Sequence, residues 1–518
     1  MKYRAVGLII ALLTLPVAGN AAAQQPPVPP EERPAGAEVL TRGPVHEAFA
    51  EPVALQAQAG LVAPTEPPPN IEEVPSADRP QGDSFVWIPG YWSWDADRSD
   101  YIWVSACWRV APPNMYWVPG YWDRMIDGWE WVPGFWARMG SQEIDYLPAP
   151  PAPVDVRPRG PAPALDNVWV PGCWYWYGGG YVQRRGYWLR QQPGWVWVPS
   201  HIRWTPRGYV FAEGHWDYAM QDRGVLFAPV YFPRFTYARQ GFSYSPTIAL
   251  DIAVLVTNLF AYPRYSHYYF GDYYDDAYVR IGIYPRFDCE RIHTWYDPIY
   301  VYDRWQYRRT DPRWEEHQRQ DYDRRRVDRD LRPYRTYREQ ESRMASIPEP
   351  QQRSMALAAP LRSVVERQVT PLRLERINAE TRQKVARDGA EVRRFGDERV
   401  KWEAPVAGPP VPRPAGGQGQ VSPAQREQRA APSGEMKKEA AVTERAAPSD
   451  APRKVKVTQP ERVKIPAPPI VGRPTPESGN AKRMMPPQPT KERRQQAEQQ
   501  KQKQKEKQKE KQDKEHGN

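Results

Sequence analysis

Between Phe85 and Phe232 the apolar positions follow no helical stripe. They fall into a recurring hexad, Trp-x-x-Gly-x-Trp, flanked by residues that alternate between apolar and polar. In "GWEWVPGFWAR", Trp129 and Trp131 alternate with Gly128 and Glu130, the period of a half-buried strand. Val132-Pro133-Gly134-Phe135 then puts proline and glycine where a type II turn uses them, and Asp127-Gly128 supplies a second reversal. The pattern predicts two short strands per unit with Pro-Gly as a corner, because type II turns splay their flanking strands. On that reading the hexad glycines Gly90, Gly120, Gly134 and Gly172 take positive φ.

The hexads form two blocks. Block one, residues 85–136, holds Trp87 to Trp92 around Gly90, Trp103 to Trp108, Trp117 to Trp122 around Gly120, and Trp131 to Trp136 around Gly134. Block two, residues 167–240, opens with Trp169, Gly172 and Trp174 and continues in weaker copies from Gln183, Trp197, Phe211 and Phe227. Neighbouring copies are mostly fourteen residues apart. One unit cannot bury its own aromatic face, so units must stack. The expected fold is mainly β: a repeated short-strand meander, barrel-, propeller- or solenoid-like, with some helix after it and long disordered N- and C-terminal segments.

The flanks read differently. Residues 1–23 have the form of a signal peptide, with Lys2 and Arg4 before the apolar run Ala5 to Gly19 and small residues at Ala21 to Ala23. Residues 24–84 read as a Pro-rich disordered spacer with at most a short helix around Val45 to Gln56. Residues 137–166 are a Pro-rich connector, and residues 241–305 a Tyr- and Asp-rich packing region. Within that region Ile248 to Phe260 is too short to span a membrane and reads as a buried helix. Residues 306–404 are charged and partly helical, with an amphipathic stretch from Leu374 to Phe395. Residues 405–518 form a basic low-complexity tail that is expected to be disordered.

Composition sharpens this picture. The 22 Trp and 30 Tyr of the 518 residues concentrate between Phe85 and Trp314, so large flat rings replace a conventional aliphatic core. The formal charge of +10 suits an anionic surface, reached through the tail, better than any nucleic acid in an exported chain.

Candidate chemistry is sparse. The three cysteines are Cys107, Cys173 and Cys289; the first two share the fifth hexad position, the one pattern that suggests a disulfide. No His, Cys or carboxylate spacing nominates a metal, a cofactor or a catalytic centre, and no cofactor is expected. Asp272, Asp275 and Asp276 form an acidic cluster that suits a cation or, by default, a solvated loop. Strand alternation leaves one face of a single-layer meander wet, which makes Tyr91, Tyr121 and Phe135 candidates for stacking on a ligand.

The hexad, the preceding "GPVHEAFAEP" at Gly43 to Pro52 and "RGVLFAPVYF" at Arg223 to Phe232 together resemble the bacterial exported YXWGXW/WXXGXW repeat family, especially planctomycete-type members. The resemblance covers about Gly43 to Arg304 and implies export and a β-rich repeat, without an activity. The second unit departs from the pattern, having Ala106 where the glycine should stand. Two functions are compatible with this reading. One is a non-enzymatic structural or interaction protein of the periplasm, cell envelope or extracellular space, whose partners are envelope proteins or polysaccharide. The other is a glycan- or cell-wall-binding module using exposed Trp and Tyr rings.

Overall fold

The computed structural model describes residues 34, 36–141, 143–348, 352, 354–367, 372–404 and 461–465. The expected signal peptide, and the expected tail apart from 461–465, lie outside the described residues. Among the described residues no helix is long and apolar enough to cross a membrane.

Eight of the nine hexads pair two by two into four long antiparallel hairpins, while the copy at Phe227 begins between two strands, Gly224–Leu226 and Val230–Tyr231, that pair with the first hairpin. The first hairpin joins Phe85–Ile88 and Tyr91–Asp95 to Asp100–Val104 and Cys107–Val110; the second joins Met115–Val118 and Tyr121–Arg124 to Trp129–Val132 and Phe135–Arg138. The third joins Asn167–Val170 and Cys173–Tyr177 to Gly180–Arg184 and Tyr187–Arg190. The fourth joins Trp195–Val198 and His201–Thr205 to Gly208–Ala212 and His215–Tyr218. The structural repeat is therefore two hexads, and the chain reverses between them.

Pro-Gly is not a corner. Ile88 faces Cys107 and Tyr91 faces Val104, so residues 89–90 lie opposite 105–106 with no slip in register. Pro-Gly marks an opening in the ladder of a continuing hairpin. Gly90, Gly120, Gly134 and Gly172 accordingly lack the expected positive φ, which appears instead at Gly128, in the Asp127-Gly128 reversal. Glycine is needed for space. A Cβ on Gly134 would stand 2.3 Å from Trp117 Cζ2 and 2.7 Å from the Val118 carbonyl, and one on Gly90 would stand 2.3 Å from the Val104 carbonyl.

The hairpins close no barrel among the described residues. The first two carry short added strands, in sheets of two to four strands, and the ladders of the third and fourth are two-stranded. Six short strands among the described residues come from the segment expected to be a disordered spacer, and of these Val62–Ala63 alone pairs directly with a hairpin. Glu38–Val39 pairs with Val230–Tyr231, Gly43–Pro44 with His267–Phe270, Val53–Ala54 with Trp295–Tyr296, and Val62–Ala63 with the second hairpin. Glu72–Glu73 runs parallel to Ser243–Tyr244, and Asp78–Pro80 pairs with Leu374–Arg376. Val45, Ala48, Phe49 and Val53 are fully buried, and no helix forms over Val45 to Gln56. The physical reason is that a Pro- and Ala-rich segment cannot fold alone, yet its extended backbone suits it to complete the edges of sheets that already exist.

The connector likewise contributes a strand, Glu143–Tyr146, which pairs with Glu461–Lys464. Ile248 to Phe260 is split: strand Ile248–Leu250, helix Ile252–Thr257 capped by the Asp251 carboxylate, then a strand from Leu259. The amphipathic stretch becomes helix Ala379–Trp402, one face of which buries Ala386, Gly389, Val392, Phe395, Gly396 and Arg399. Gly389 approaches Trp87 and Gly396 approaches Pro119, so this helix lies across the first two hairpins.

Two alanine substitutions separate steric need from backbone conformation. Gly134→Ala should cost about 2–3 kcal/mol, the magnitude of overpacking a tight site. Gly140→Ala, at φ +85° with no atom within 4 Å of the added Cβ, should cost about 1 kcal/mol. Urea denaturation of both variants checks the order; a smaller loss for Gly134→Ala would refute the packing account.

Candidate functional site

The opening in each ladder leaves backbone groups that a hairpin would normally pair, and a buried amide without a partner costs about 1–3 kcal/mol. In the first hairpin the Gly90 amide donates to Glu73 Oε2 at 2.9 Å and the Ala106 amide donates to both Glu73 oxygens at 3.1 Å. Ala106 thus fills the glycine position without changing the arrangement. In the second hairpin the Gly120 and Gly134 amides donate to Glu47 Oε1 at 3.3 and 3.0 Å, and Trp131 Nε1 donates to Oε2 at 3.2 Å. One carboxylate serves each of these first two pairs of hexads.

The carbonyl side of the second opening is satisfied by the opposite charge. Arg399 Nη1 donates to the Pro119 and Pro133 carbonyls, both at 2.9 Å, and its guanidinium lies 5.2 and 5.1 Å from the Tyr121 and Phe135 rings. Glu403 pairs with Arg399 at 3.0 Å and accepts from the Tyr121 and Tyr146 hydroxyls at 2.9 and 3.0 Å. In the first hairpin His46 Nδ1 accepts from the Ala48 amide, which leaves Nε2 to donate to the Pro89 carbonyl at 3.1 Å. The third and fourth openings use weaker acceptors. The Gly172 amide donates to the Asp155 carbonyl at 3.3 Å, and the Gly214 amide to Ser200 Oγ at 2.9 Å.

Tryptophan pairs flank the first two openings on both sides and the third and fourth on one side. Trp87 faces Trp108, Trp92 faces Trp103, Trp117 faces Trp136 and Trp122 faces Trp131. Trp169–Trp188 and Trp197–Trp216 repeat the contact, every pair being edge-to-face with centroids 5.1 to 5.4 Å apart. Such pairs add about 0.5–1.5 kcal/mol beyond their area. Where the hexad degenerates the pair is lost on one side of the opening: Trp174 faces Gln183, and Ile202 faces Phe211.

The proposed stacking rings lie elsewhere than expected. Tyr121 is 7 % exposed and Phe135 4 %, held under Arg399. Tyr91 stacks on Trp131 with centroids 4.8 Å apart, and its hydroxyl meets His267 Nε2 at 2.9 Å. These rings turn inward because the inserted N-terminal segment and helix Ala379–Trp402 cover the faces that a bare meander would leave wet. The disulfide is also absent: Cys107, Cys173 and Cys289 are free thiols. Cys107 is buried between two neighbouring strands of one sheet, whereas Cys173 belongs to the separate third hairpin. The acidic cluster is drawn into ion pairs, Asp272 and Asp275 with Arg332 and Asp276 with Arg326.

Between the hairpins lies a buried charged layer. Arg109 grips both Asp217 oxygens at 2.6 Å, Arg223 adds a contact at 3.0 Å, and Arg203 pairs with Glu51. His267 stands 3.8 Å from Glu47. Burial pushes the Glu47 and Glu51 carboxyls up from 4.5 to about 7, and pushes His46 and His267 down from 6.5 to about 4. The two sets act in opposite senses. Carboxyls with raised pKa hold more protons folded than unfolded, so their contribution falls as pH rises from 4.5 to 7. Imidazoles with lowered pKa hold fewer, so theirs is lost as pH falls from 6.5 to 4.

His46, Glu47, Glu73, Arg399 and Glu403 were not singled out in the sequence. The one available signal was "GPVHEAFAEP", a charged His-Glu pair inside an otherwise apolar Pro- and Ala-rich segment. Glu47→Gln should remove one acceptor and set an amide N–H against either the glycine amides or the Trp131 indole. We expect Glu47→Gln to cost about 1–3 kcal/mol, with the larger difference from wild type at pH 5 than at pH 8. Urea denaturation at both pH values measures this; a difference that grows with pH would reverse the assigned sign.

Neither a curated protein nor a solved structure matches the chain significantly. A family described as "WXXGXW repeat (2 copies)" matches at residues 82–109, 113–137 and 193–217. Each match contains two hexads and coincides with one hairpin, the first, second and fourth. The third hairpin is outside the matched residues. With its paired hexads, flanking tryptophan pairs and close-packed glycines, the chain carries the WXXGXW repeat at residues 82–109, 113–137 and 193–217.

Proposed function

We propose that this is an exported structural and interaction protein of the bacterial cell envelope, in which the buried hairpins form a rigid body and the third hairpin is the contact face. Export rests on the signal-peptide pattern of residues 1–23. The observation that carries the contact face is exposure: three of the four strands of the third hairpin, Cys173–Tyr177, Gly180–Arg184 and Tyr187–Arg190, contain no buried residue, and Tyr177 is 79 % exposed. The first two hairpins, by contrast, bury most of their rings.

The chemistry of that face favours an acidic polysaccharide over a neutral one. On the side that carries Tyr177, Tyr175 and Tyr187 are half-buried and Arg184 is exposed, with Arg185 exposed beside it. Arg184 lies 5.0 Å from the Tyr187 ring, an arrangement that keeps rings flat and cations outward. Rings of this kind stack on sugar CH faces, and guanidinium groups pair with uronate carboxylates in a fork. This reading keeps glycan recognition but moves it from Tyr91, Tyr121 and Phe135 to the third hairpin.

Retention on immobilised polyuronate, with cellulose as the neutral comparison, tests it. Wild type should be retained by the polyuronate, and the double variant Tyr177→Ala/Arg185→Ala should lose at least about tenfold in affinity with an unchanged melting temperature. Undiminished retention of the double variant would move binding away from this hairpin.

A further inference from the structure

Away from the repeats, a cavity of about 370 Å³ opens beside helix Ile252–Thr257, with no residue of the four hairpins in its wall. Its size falls in the range of pockets for small ligands. The helix is apolar from Ile252 to Val256, yet only Ile252 and Leu255 are buried in the core; Val254 and Val256 stay half-buried on the cavity side. The rest of the wall is largely aromatic. Phe260 and Tyr274 meet edge-to-face at 5.0 Å, Phe287 and Tyr322 at 5.5 Å, and Tyr300 packs on Trp314 at 5.5 Å.

Two arginines border this apolar space and differ in charge balance. Arg286 is neutralised by Asp297 and Asp303, each at 3.1 Å. Arg325 Nη1 donates only to neutral acceptors: Asn258 Oδ1 at 2.7 Å, the Tyr274 hydroxyl at 2.9 Å and the Thr257 carbonyl at 3.3 Å. Among the described residues it faces no carboxylate in an ion pair. The acid that shares the wall, Asp321, is engaged by Arg324. A second polar group is also uncommitted. The Tyr300 hydroxyl is buried and has no hydrogen-bond partner among the described residues, which is costly unless something supplies one.

We propose that this cavity binds a small aryl carboxylate or sulfonate, its ring seated among Phe260, Phe287, Trp314 and Tyr322 and its anionic head on Arg325. A flat ring fits walls whose members already meet edge-to-face. The anion balances a half-buried guanidinium that otherwise has only neutral partners, and hydrogen bonds to a charged group are the stronger kind.

The test titrates the full-length protein with 1-anilinonaphthalene-8-sulfonate, reading dye emission and tryptophan quenching, beside the uncharged N-phenyl-1-naphthylamine. Saturable binding of the sulfonate to one site is expected. Arg325→Gln should weaken it about tenfold while changing the uncharged dye less than twofold, and Val254→Trp should fill the cavity and remove both. Near-ultraviolet circular dichroism identifies variants that retain the native fold; if Val254→Trp does not, Ala253→Leu takes its place. Equal affinity of wild type and Arg325→Gln for the sulfonate, or no saturable binding by wild type, would overturn the proposal. Displacement of the dye by decanoate more readily than by 2-naphthoate would overturn the aryl assignment.

Discussion

A buried carboxylate set across a gap between two strands is the interaction on which this architecture depends. Pro-Gly interrupts each hairpin, and in the first two the amides that the interruption releases converge on Glu73 and Glu47. Without an acceptor those amides would be buried unpaired, and the hairpins would open at their centres. Both acceptors come from the chain preceding the repeats. That segment is therefore part of the repeat module, although it carries no repeat of its own.

The same constraint explains the hexad. Close approach of strands at the opening excludes a side chain at the glycine, and the tryptophans on either side close over the gap in edge-to-face pairs. Because the pairing is between hexads, the hairpin is the unit, and loss of tryptophan in the second block breaks the cross-strand pair. Gln183 lies opposite Trp174, and Phe211 opposite Ile202. Cross-strand contacts, more than the hexad itself, set what each position needs.

Burying Glu47, Glu51, Asp217, Arg109, Arg203 and Arg223 in one layer costs desolvation that only close pairing offsets. Such a layer fixes which hairpin faces which, since a shifted arrangement would leave a charge unpaired. The third hairpin lies apart from it, takes its acceptor from a main-chain carbonyl, and keeps its rings half in solvent. Rigidity and exposure are thus divided between different hairpins of one repeat series.

The sequence by itself determined the β character, the position of the repeats, the Asp127-Gly128 reversal and the need for stacked rings, because alternation, turn chemistry and aromatic spacing are local properties. It also indicated the amphipathic helix, which runs Ala379–Trp402 rather than Leu374 to Phe395. Only the tertiary structure decided the rest. Gly134 is glycine because Trp117 and Val118, across the hairpin on the partner strand, leave no room, and no local rule separates that reason from a positive φ. Glu47 and Glu73 look like solvated acids in a proline-rich spacer, and become acceptors only when residues some seventeen to eighty-seven positions away present amides to them. Tyr121 and Phe135 alternate as surface residues should, until Arg399 and helix Ala379–Trp402 cover them. Burial, close approach and charge pairing are long-range quantities, and a pattern read along one strand contains only one side of each.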